Sequence, residues 1–416
     1  MSMSDLTGIS WVRLSFVDVF GTGHAMLIPA SHFEAAVEAG VPFDGSSLEG
    51  RARFIETDMR LLPDPSTLVP TGDGVARAVC VVLTEDSQPW AGDPRTALAL
   101  VLDQTGDLGE QYTVASELEF YLLGETGEPI DAPGYFIEAE GPGIRMVREV
   151  ADKLAAWGLT VDSIHHEAGP GQFEIDLAAL PAIEAADALV LTKQAIREAA
   201  SAAGMVATFM ARPIAGEAGS GLHLHQRVAD RLAETDGSLT SDGRAFVAGQ
   251  LAHARGLCAL ACPTVNSYKR LHAGPEAPGM AVWAHANRGA LIRLSPSGGD
   301  GATIEYRCPD PSTNPYLLFA GLIISAAHGI GSQLELPPAF EEQIGGFDPA
   351  AVDSSRAEPL PRDLEESLSA LQNDDVLVDA FDPLLLSRLV DGRRAEASEY
   401  GEQVTPWEID MYLEDA

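Results

Sequence analysis

Four short stretches of this chain set two polar, ligand-type side chains two residues apart inside apolar sequence: Glu117-Leu118-Glu119, Glu174-Ile175-Asp176, His223-Leu224-His225 and Glu305-Tyr306-Arg307. In a β-strand, residues i and i+2 point to the same face. Each stretch therefore predicts a strand that presents a charged or metal-binding pair to one side. A single such strand would suit a polar surface edge. Four of them, with His165-His166-Glu167 just ahead of the second, predict a pocket walled by sheet and lined with carboxylates. Crowded carboxylates repel unless cations sit among them, which predicts a divalent metal.

Composition narrows the partners. The 62 acidic and 26 basic residues give a net charge of −36, which argues against nucleic acid, whose phosphates need Lys and Arg. Only three lysines occur (Lys153, Lys193, Lys269). The chain is long enough for two domains and 46% hydrophobic, enough to fill a sizeable core. Cys80, Cys258, Cys262 and Cys308 form no C-x-x-C pair, so a zinc ribbon is excluded. Cys258 and Cys262 read as buried core thiols. So few cysteines, no visible signal peptide and no apolar run of membrane-spanning length predict a cytoplasmic protein.

Along the chain, residues 9–29 read as two strands around Gly21-Thr22-Gly23. Ser31 is the expected N-cap of a short helix ended by Gly40, Phe43 to Ser47 a tight loop, and 75–83 a strand. Pro89 to Pro94 reads as a linker, dividing a β-rich domain, 1–92, from a larger domain, 93–416. The larger part alternates strands with helices, expected over 144–157, 182–203, 246–262, 314–328, 363–373 and 376–395. Pro337 to Pro361 reads as a long surface loop.

Gly219-Ser220-Gly221 precedes His223, so backbone N–H groups can approach an anion closely there. His223 is a candidate metal ligand and His225 a candidate phosphate donor. Arg270, Arg288, Arg293 and Arg307 supply fixed positive charge. An acidic metal site ringed by arginines suits phosphoryl transfer. No P-loop or protein-kinase signature is present.

Further motifs are Phe43-Asp44-Gly45-Ser46-Ser47, Gly134-Tyr135-Phe136, Ala207-Thr208-Phe209-Met210, Asn266-Ser267-Tyr268-Lys269-Arg270, Gly274-Pro275-Glu276-Ala277-Pro278, Asn287-Arg288, Pro309-Asp310-Pro311 and Val404-Thr405-Pro406-Trp407-Glu408. In these motifs and their order, the chain resembles the type I glutamine synthetases along nearly its whole length. The resemblance implies an α+β fold, with a small N-terminal β-grasp-like domain and a large catalytic domain whose curved antiparallel sheet, a half-barrel, is flanked by helices. It implies a ligase using glutamate, ATP and ammonia or an organic amine, with two or more Mg²⁺ or Mn²⁺ per site. By resemblance, Glu119, Glu167 and Glu174 hold one ion, and Glu117, His223 and Glu305 the second. Arg270 and Arg307, with the Gly219 backbone, hold glutamate. His225, Arg288 and Arg293 face the nucleotide, and Arg288 and Arg293 also stabilise the transferring phosphoryl group. Glu276 is the flap acid that takes a proton from the ammonium. Asp44, presented by a neighbouring subunit, and Tyr135 form the ammonium pocket. Active sites between subunits imply a homo-oligomer, a dodecamer of two hexameric rings.

The chain departs from the family pattern in several places. Ala218 stands where an asparagine is usual, and Arg212-Pro213 where lysine-proline is usual. Arg227 stands where a serine is usual, and Asp300 and Thr303 replace basic residues. Gly346-Phe347-Asp348 replaces the region of an adenylylated tyrosine, and the usual N-terminal helix is nearly missing. These changes predict a divergent paralogue that joins glutamate to an alkylamine or polyamine. A true glutamine synthetase and a non-catalytic scaffold are the alternatives.

Overall fold

A computed structural model of the chain describes residues 6–49, 58–132, 134–138, 140–229, 231–234, 236–271, 277–297, 301–341 and 358–414. Six strands make the N-terminal sheet: β1 (Trp11–Val17), β2 (Gly23–Pro29), β3 (Val41–Asp44), β4 (Asp58–Pro63), β5 (Val69–Gly72) and β6 (Val75–Thr84). Their order is β2-β1-β6-β4-β3, with β5 on β6. The first two strands pair as the expected hairpin. Helix α1 (Phe33–Ala39) buries Phe33 and Ala36, in a core with Val12, Leu14, Leu61 and Val82.

Two local expectations change here. Ser31 is not an N-cap: Ala30–His32 form a 3₁₀ turn that runs into α1 through a helical His32, leaving no extended capping residue. The expected loop at Phe43-Asp44 is strand β3. It pairs with Met59 and Asp58 of β4, and that ladder overrides the local turn preference.

The larger sheet contains β7 (Tyr112–Leu123), β8 (Val161–His166), β9 (Gln172–Pro181), β10 (Val206–Thr208), β11 (Leu222–Val228), β13 (Trp283–Ala284), β14 (Ile292–Ser297) and β15 (Gly301–Tyr306). Its order is β13-β14-β15-β11-β7-β9-β8, with β10 on β7; β12 (Met280–Ala281) pairs separately with β16 (Glu358–Pro359). All pairs are antiparallel except β13–β14, and the sheet curves as a half-barrel. The flanking helices are α2 (Pro94–Gln104), α3 (Asp107–Glu110), α4 (Pro142–Ala156), α5 (Ala182–Ala202), α6 (Ser241–Ala252), α7 (Ala254–Ala261), α8 (Val265–Leu271), α9 (Pro315–Gly331), α10 (Leu364–Gln372), α11 (Asp375–Ala380), α12 (Pro383–Gly401) and α13 (Pro406–Tyr412).

Helix α9 lies at the centre, buried over most of its circumference. Its N-cap Asn314 accepts from the Tyr316 N–H and donates to the Asp18 and Val19 carbonyls, tying the first hairpin to the larger body. Gly21 lies against Asn314 at φ 84°; a Cβ there would meet the Asn314 Cα at 3.3 Å.

The helix expected over 246–262 is two helices, broken at His253. That imidazole is 2.7 Å from Asp374 Oδ2 and 2.8 Å from His328 Nδ1, so tertiary hydrogen bonds fix the break. The segment 376–395 is likewise split, because Pro383 has no N–H to continue α11, and Asp382 caps α12 instead. The Pro89–Pro94 stretch ends as a helix start: Asp93 caps α2 and Pro94 occupies its first turn. Most of the 337–361 stretch lies outside the described residues, as do Glu276, Asp300 and Gly346-Phe347-Asp348. All four cysteines are buried and free. Among the described residues no helix is long and apolar enough to cross a membrane.

Candidate active site

The four ligand-bearing stretches fall on four adjacent strands, β15, β11, β7 and β9. Register places Glu305 opposite His225, His223 opposite Glu117, Glu117 opposite Asp176, and Glu119 opposite Glu174. The row extends to Arg293 of β14, opposite Glu305, and to His165 of β8, opposite Glu174. Directly opposed residues share a face, so all these side chains crowd one side of the sheet. The intervening Leu118, Ile175, Leu224 and Tyr306 point the other way into the core.

Glu117 is held by two imidazoles, His223 Nδ1 at 2.8 Å and His225 Nε2 at 2.7 Å. Thr303 Oγ1, at 2.9 Å from His225 Nδ1, orients that ring. Glu305 is fully buried and contacts Arg293 Nε and Arg307 Nη1 with its two oxygens. Glu119 accepts from the Gly221 N–H at 2.9 Å and from Gln172 Nε2 at 3.1 Å. His165 lies 3.1 Å from Glu174 and 3.4 Å from Glu167.

The electrostatics divide the cluster. Burial pushes the Glu117 carboxyl up, but hydrogen bonds and charge from His223 and His225 outweigh it, so its pKa falls well below the usual range. His225 rises: burial opposes its charge, and Glu117 more than offsets this. Glu174 rises strongly, through burial and then the negative fields of Glu119, Asp176, Glu117 and Glu167; Asp176 also rises, chiefly through burial. Carboxylates that repel one another this way form a natural seat for hard cations. Glu117, His223 and Glu305 bring ligand atoms within 4.8 Å of one another, and so do His165, Glu174 and Asp176. This oxygen-rich set, with some imidazole, fits Mg²⁺ or Mn²⁺.

A cavity of about 330 Å³ opens over the row, lined by Glu119, Glu167, Gly219, His223, Arg270 and Arg307 among others. Arg270 Nη1 donates to the carbonyls of Cys308 (2.7 Å) and Pro309 (3.0 Å), and Nη2 to that of Arg307 (3.2 Å). It therefore fixes the segment after β15 as well as facing the cavity. Arg307 Nε donates to the Arg288 carbonyl at 2.9 Å, and the Arg288 side chain is exposed. Tyr135 packs edge-on against Phe136, whose ring lies tilted with its centre 4.4 Å from that of His165. Asp44 is exposed on the N-terminal sheet, accepts from the Ser46 N–H, and does not line this chain's cavity.

The sequence marked Asp176 and His165 as members of ligand-type stretches without assigning them an ion, and gave no role to Gln172. Gln172 joins Glu119 to the Gly219 carbonyl and accepts from Gly169 N–H. The signal was present: Gln172, Glu174 and Asp176 share one face by the same two-residue period.

A half-barrel sheet carrying carboxylates, imidazoles and arginines in one row, beside a small β-grasp unit, is a class of architecture whose charged row suits divalent cations and phosphate groups. The description "Glutamine synthetase, beta-Grasp domain" matches residues 8–85 and "Glutamine synthetase, catalytic domain" residues 91–412. The glutamine synthetase of Thermotoga maritima is 37% identical, over 97% of this chain and 96% of its own. That of Halobacterium salinarum is 36% identical, over 98% and 94%. The chain belongs to the glutamine synthetase family, and it is an ATP-dependent carbon–nitrogen ligase. A solved structure of apo GmaS, a gamma-glutamylmethylamide synthetase, superposes with a TM-score of 0.88 at 27% identity, over 99% of both chains.

Proposed function

We propose that this ligase joins glutamate to an organic amine, an alkylamine or polyamine, through γ-glutamyl phosphate. A carboxylate is a poor electrophile. Its γ-oxygen attacks the terminal phosphorus of ATP and ADP leaves; the amine nitrogen then attacks the acyl carbon, phosphate leaves, and the nitrogen loses a proton. Arg270, Arg307 and the Gly219 backbone hold the glutamate. His225, Arg288 and Arg293 face the nucleotide, with Arg288 against the transferring phosphoryl group, and Asp44, Tyr135 and Glu276 form the amine end. Mg²⁺ or Mn²⁺, held by Glu117, His223 and Glu305 and by Glu119, Glu167 and Glu174, would neutralise phosphate charge when bound. A closed pocket keeps water from the acyl phosphate.

The observation carrying the organic amine is the Tyr135–Phe136–His165 aromatic group beside Glu174 and Asp176. Phe136 is held at φ 56° with its N–H on the His166 carbonyl at 3.1 Å. Such a φ is costly for a bulky residue. An exposed aromatic pair next to an acidic cluster attracts a substituted ammonium, which gains from cation–π contact and from covering its alkyl part. The likeness to GmaS supports the same reading. The names of the relatives at 35–37% identity support ammonia as the second reading.

Asp44, exposed and away from its own chain's cavity, supports sites shared between subunits in a ring. Exposed Trp407, Met411, Tyr412 and Leu413 near the C-terminus support contacts between two hexameric rings. Phosphate release with glutamate, ATP and Mg²⁺, run over ammonium, methylamine, ethylamine and putrescine, tests the reading. The highest kcat/KM should belong to an organic amine. Ammonium as the best donor would establish the second reading, and no phosphate with any donor would overturn both.

A further inference from the structure

A second cavity, of about 810 Å³, opens between the N-terminal sheet and the catalytic body and shares no lining residue with the carboxylate site. Its walls carry Ser15 of β1, Arg77 of β6, Lys193 and Arg197 of α5, and Arg393 of α12. Among the described residues no Asp or Glu lines it. In a chain of net charge −36, a wall of four cations without a carboxylate runs against the average surface and focuses positive potential.

Arg77 is only 4% exposed, and its Nε and Nη1 have no hydrogen-bond partner among the described residues. Ser15 Oγ and Arg393 Nε, on the same walls, are likewise buried without one. Nearby carboxylates are engaged elsewhere. Asp187 is gripped by Arg95 at 3.1 and 3.0 Å and by the Tyr316 hydroxyl at 2.6 Å. Glu198 pairs with Arg13 at 2.7 Å. Arg197 stacks 4.7 Å from the Phe209 ring centre, and Lys193 Nζ donates to the Pro311 carbonyl at 2.6 Å. Arg393 Nη1 is paired with Glu396 at 2.7 Å and Arg197 is exposed, so of the three arginines Arg77 is the buried guanidinium without a paired carboxylate. That is costly, and with three further cations on the same cavity it calls for an anion.

We propose that this cavity binds a small multivalent oxyanion, a metabolite bearing phosphate or several carboxylates. Arginine forks suit either group, and the volume suits a metabolite-sized ligand. The inference does not depend on which amine the ligase uses.

Titration calorimetry on the assembled oligomer, free of nucleotide and Mg²⁺, tests it with citrate, pyrophosphate and inorganic phosphate as probes. Wild type should bind at least one probe saturably. Citrate alone would identify a polycarboxylate ligand, and pyrophosphate or phosphate alone a phosphate-bearing one. Arg77→Met and Arg197→Met should weaken binding by about tenfold or more, while Arg293→Met, in the carboxylate site, should leave it unchanged. Arg77→Met should also hold or raise the thermal midpoint of the ligand-free protein. If Arg77→Met fails to fold, Arg197→Met, at an exposed position of α5, carries the test. The proposal is overturned by absence of saturable binding, by full binding in the cavity variants, or by loss in Arg293→Met instead.

Discussion

Glu305 offers the sharpest perturbation of the catalytic row. Its carboxylate is fully buried, and each oxygen meets a guanidinium, Arg293 on one side and Arg307 on the other. Burial works against its charge, yet Arg307, His223, His225 and Arg293 together hold its pKa below the usual value. Glu305→Ala would leave two arginines facing each other without an anion, a loss of about 3–5 kcal/mol. That is a large share of a typical folding stability of about 5–15 kcal/mol, so the variant should fold with a lower midpoint. Glu305→Gln keeps an acceptor for Arg307 but turns an amide against Arg293, costing about 1–3 kcal/mol. Catalytically, both lose a carboxylate from the group formed with Glu117 and His223. If that group holds the ion that neutralises phosphate charge, the loss is several kcal/mol; about 4 kcal/mol corresponds to about a thousandfold in rate. Phosphate release with glutamate, ATP and the best amine should fall accordingly in Glu305→Gln, while sedimentation shows an intact oligomer. The Mg²⁺ concentration for half-maximal rate should also rise. An intact oligomer with near wild-type turnover, or a lower rate with an unchanged Mg²⁺ response, would refute the ligand role and leave Glu305 only the task of positioning the arginines.

Other expectations follow from the same geometry. Gly221→Ala would push its Cβ to 2.7 Å from Arg270 Nη2 and 2.8 Å from His223 Nε2; turnover should fall about a hundredfold or more with little change in midpoint, and normal kinetics would contradict the crowding. Arg270→Ala removes its donors from the 307–309 carbonyls. Pro309 keeps the Leu222 N–H and Cys308 the Cys262 thiol, so the loss falls mainly on the Arg307 carbonyl at about 1–3 kcal/mol, and chemical denaturation should shift along with the glutamate KM; a KM change at unchanged stability would show that the segment holds itself. Asp93, the buried cap of α2, has its pKa pushed up to about 6 by burial. A folded value above the unfolded one (3.8) means its favourable contribution is complete below pH 4 and is lost as pH rises through 6. Asp93→Asn should therefore gain stability relative to wild type between pH 4 and 7, measured as a difference in denaturation midpoints; a pH-independent difference would show that Asp93 is ionised throughout.

Much of the site was legible because its signal is local. Two-residue spacing in apolar sequence marked Glu117, Glu119, Glu174, Asp176, His223, His225, Glu305 and Arg307; all lie on strands except Arg307, which directly follows β15. Helices with strong caps were also legible: Asn314-Pro315 opens α9 where expected. What failed was decided at a distance. His253 breaks a continuous apolar pattern because Asp374 and His328, far away in sequence, bind its ring. Phe43-Asp44 reads as a turn but extends because β4 is there to pair with it. Gln172 has no meaning alone and acquires one only when Glu119 and the Gly219 carbonyl arrive beside it.

The chain by itself settles which side chains can share a face, since strand alternation is a property of consecutive residues. Only the tertiary structure decides which strands lie side by side, and here it sets β15, β11, β7 and β9 in unbroken succession. A slip of one residue in any of these ladders would turn a carboxylate pair into the apolar core. Burial of Leu118, Ile175, Leu224 and Tyr306 on the opposite face holds the register, and with it the charged row.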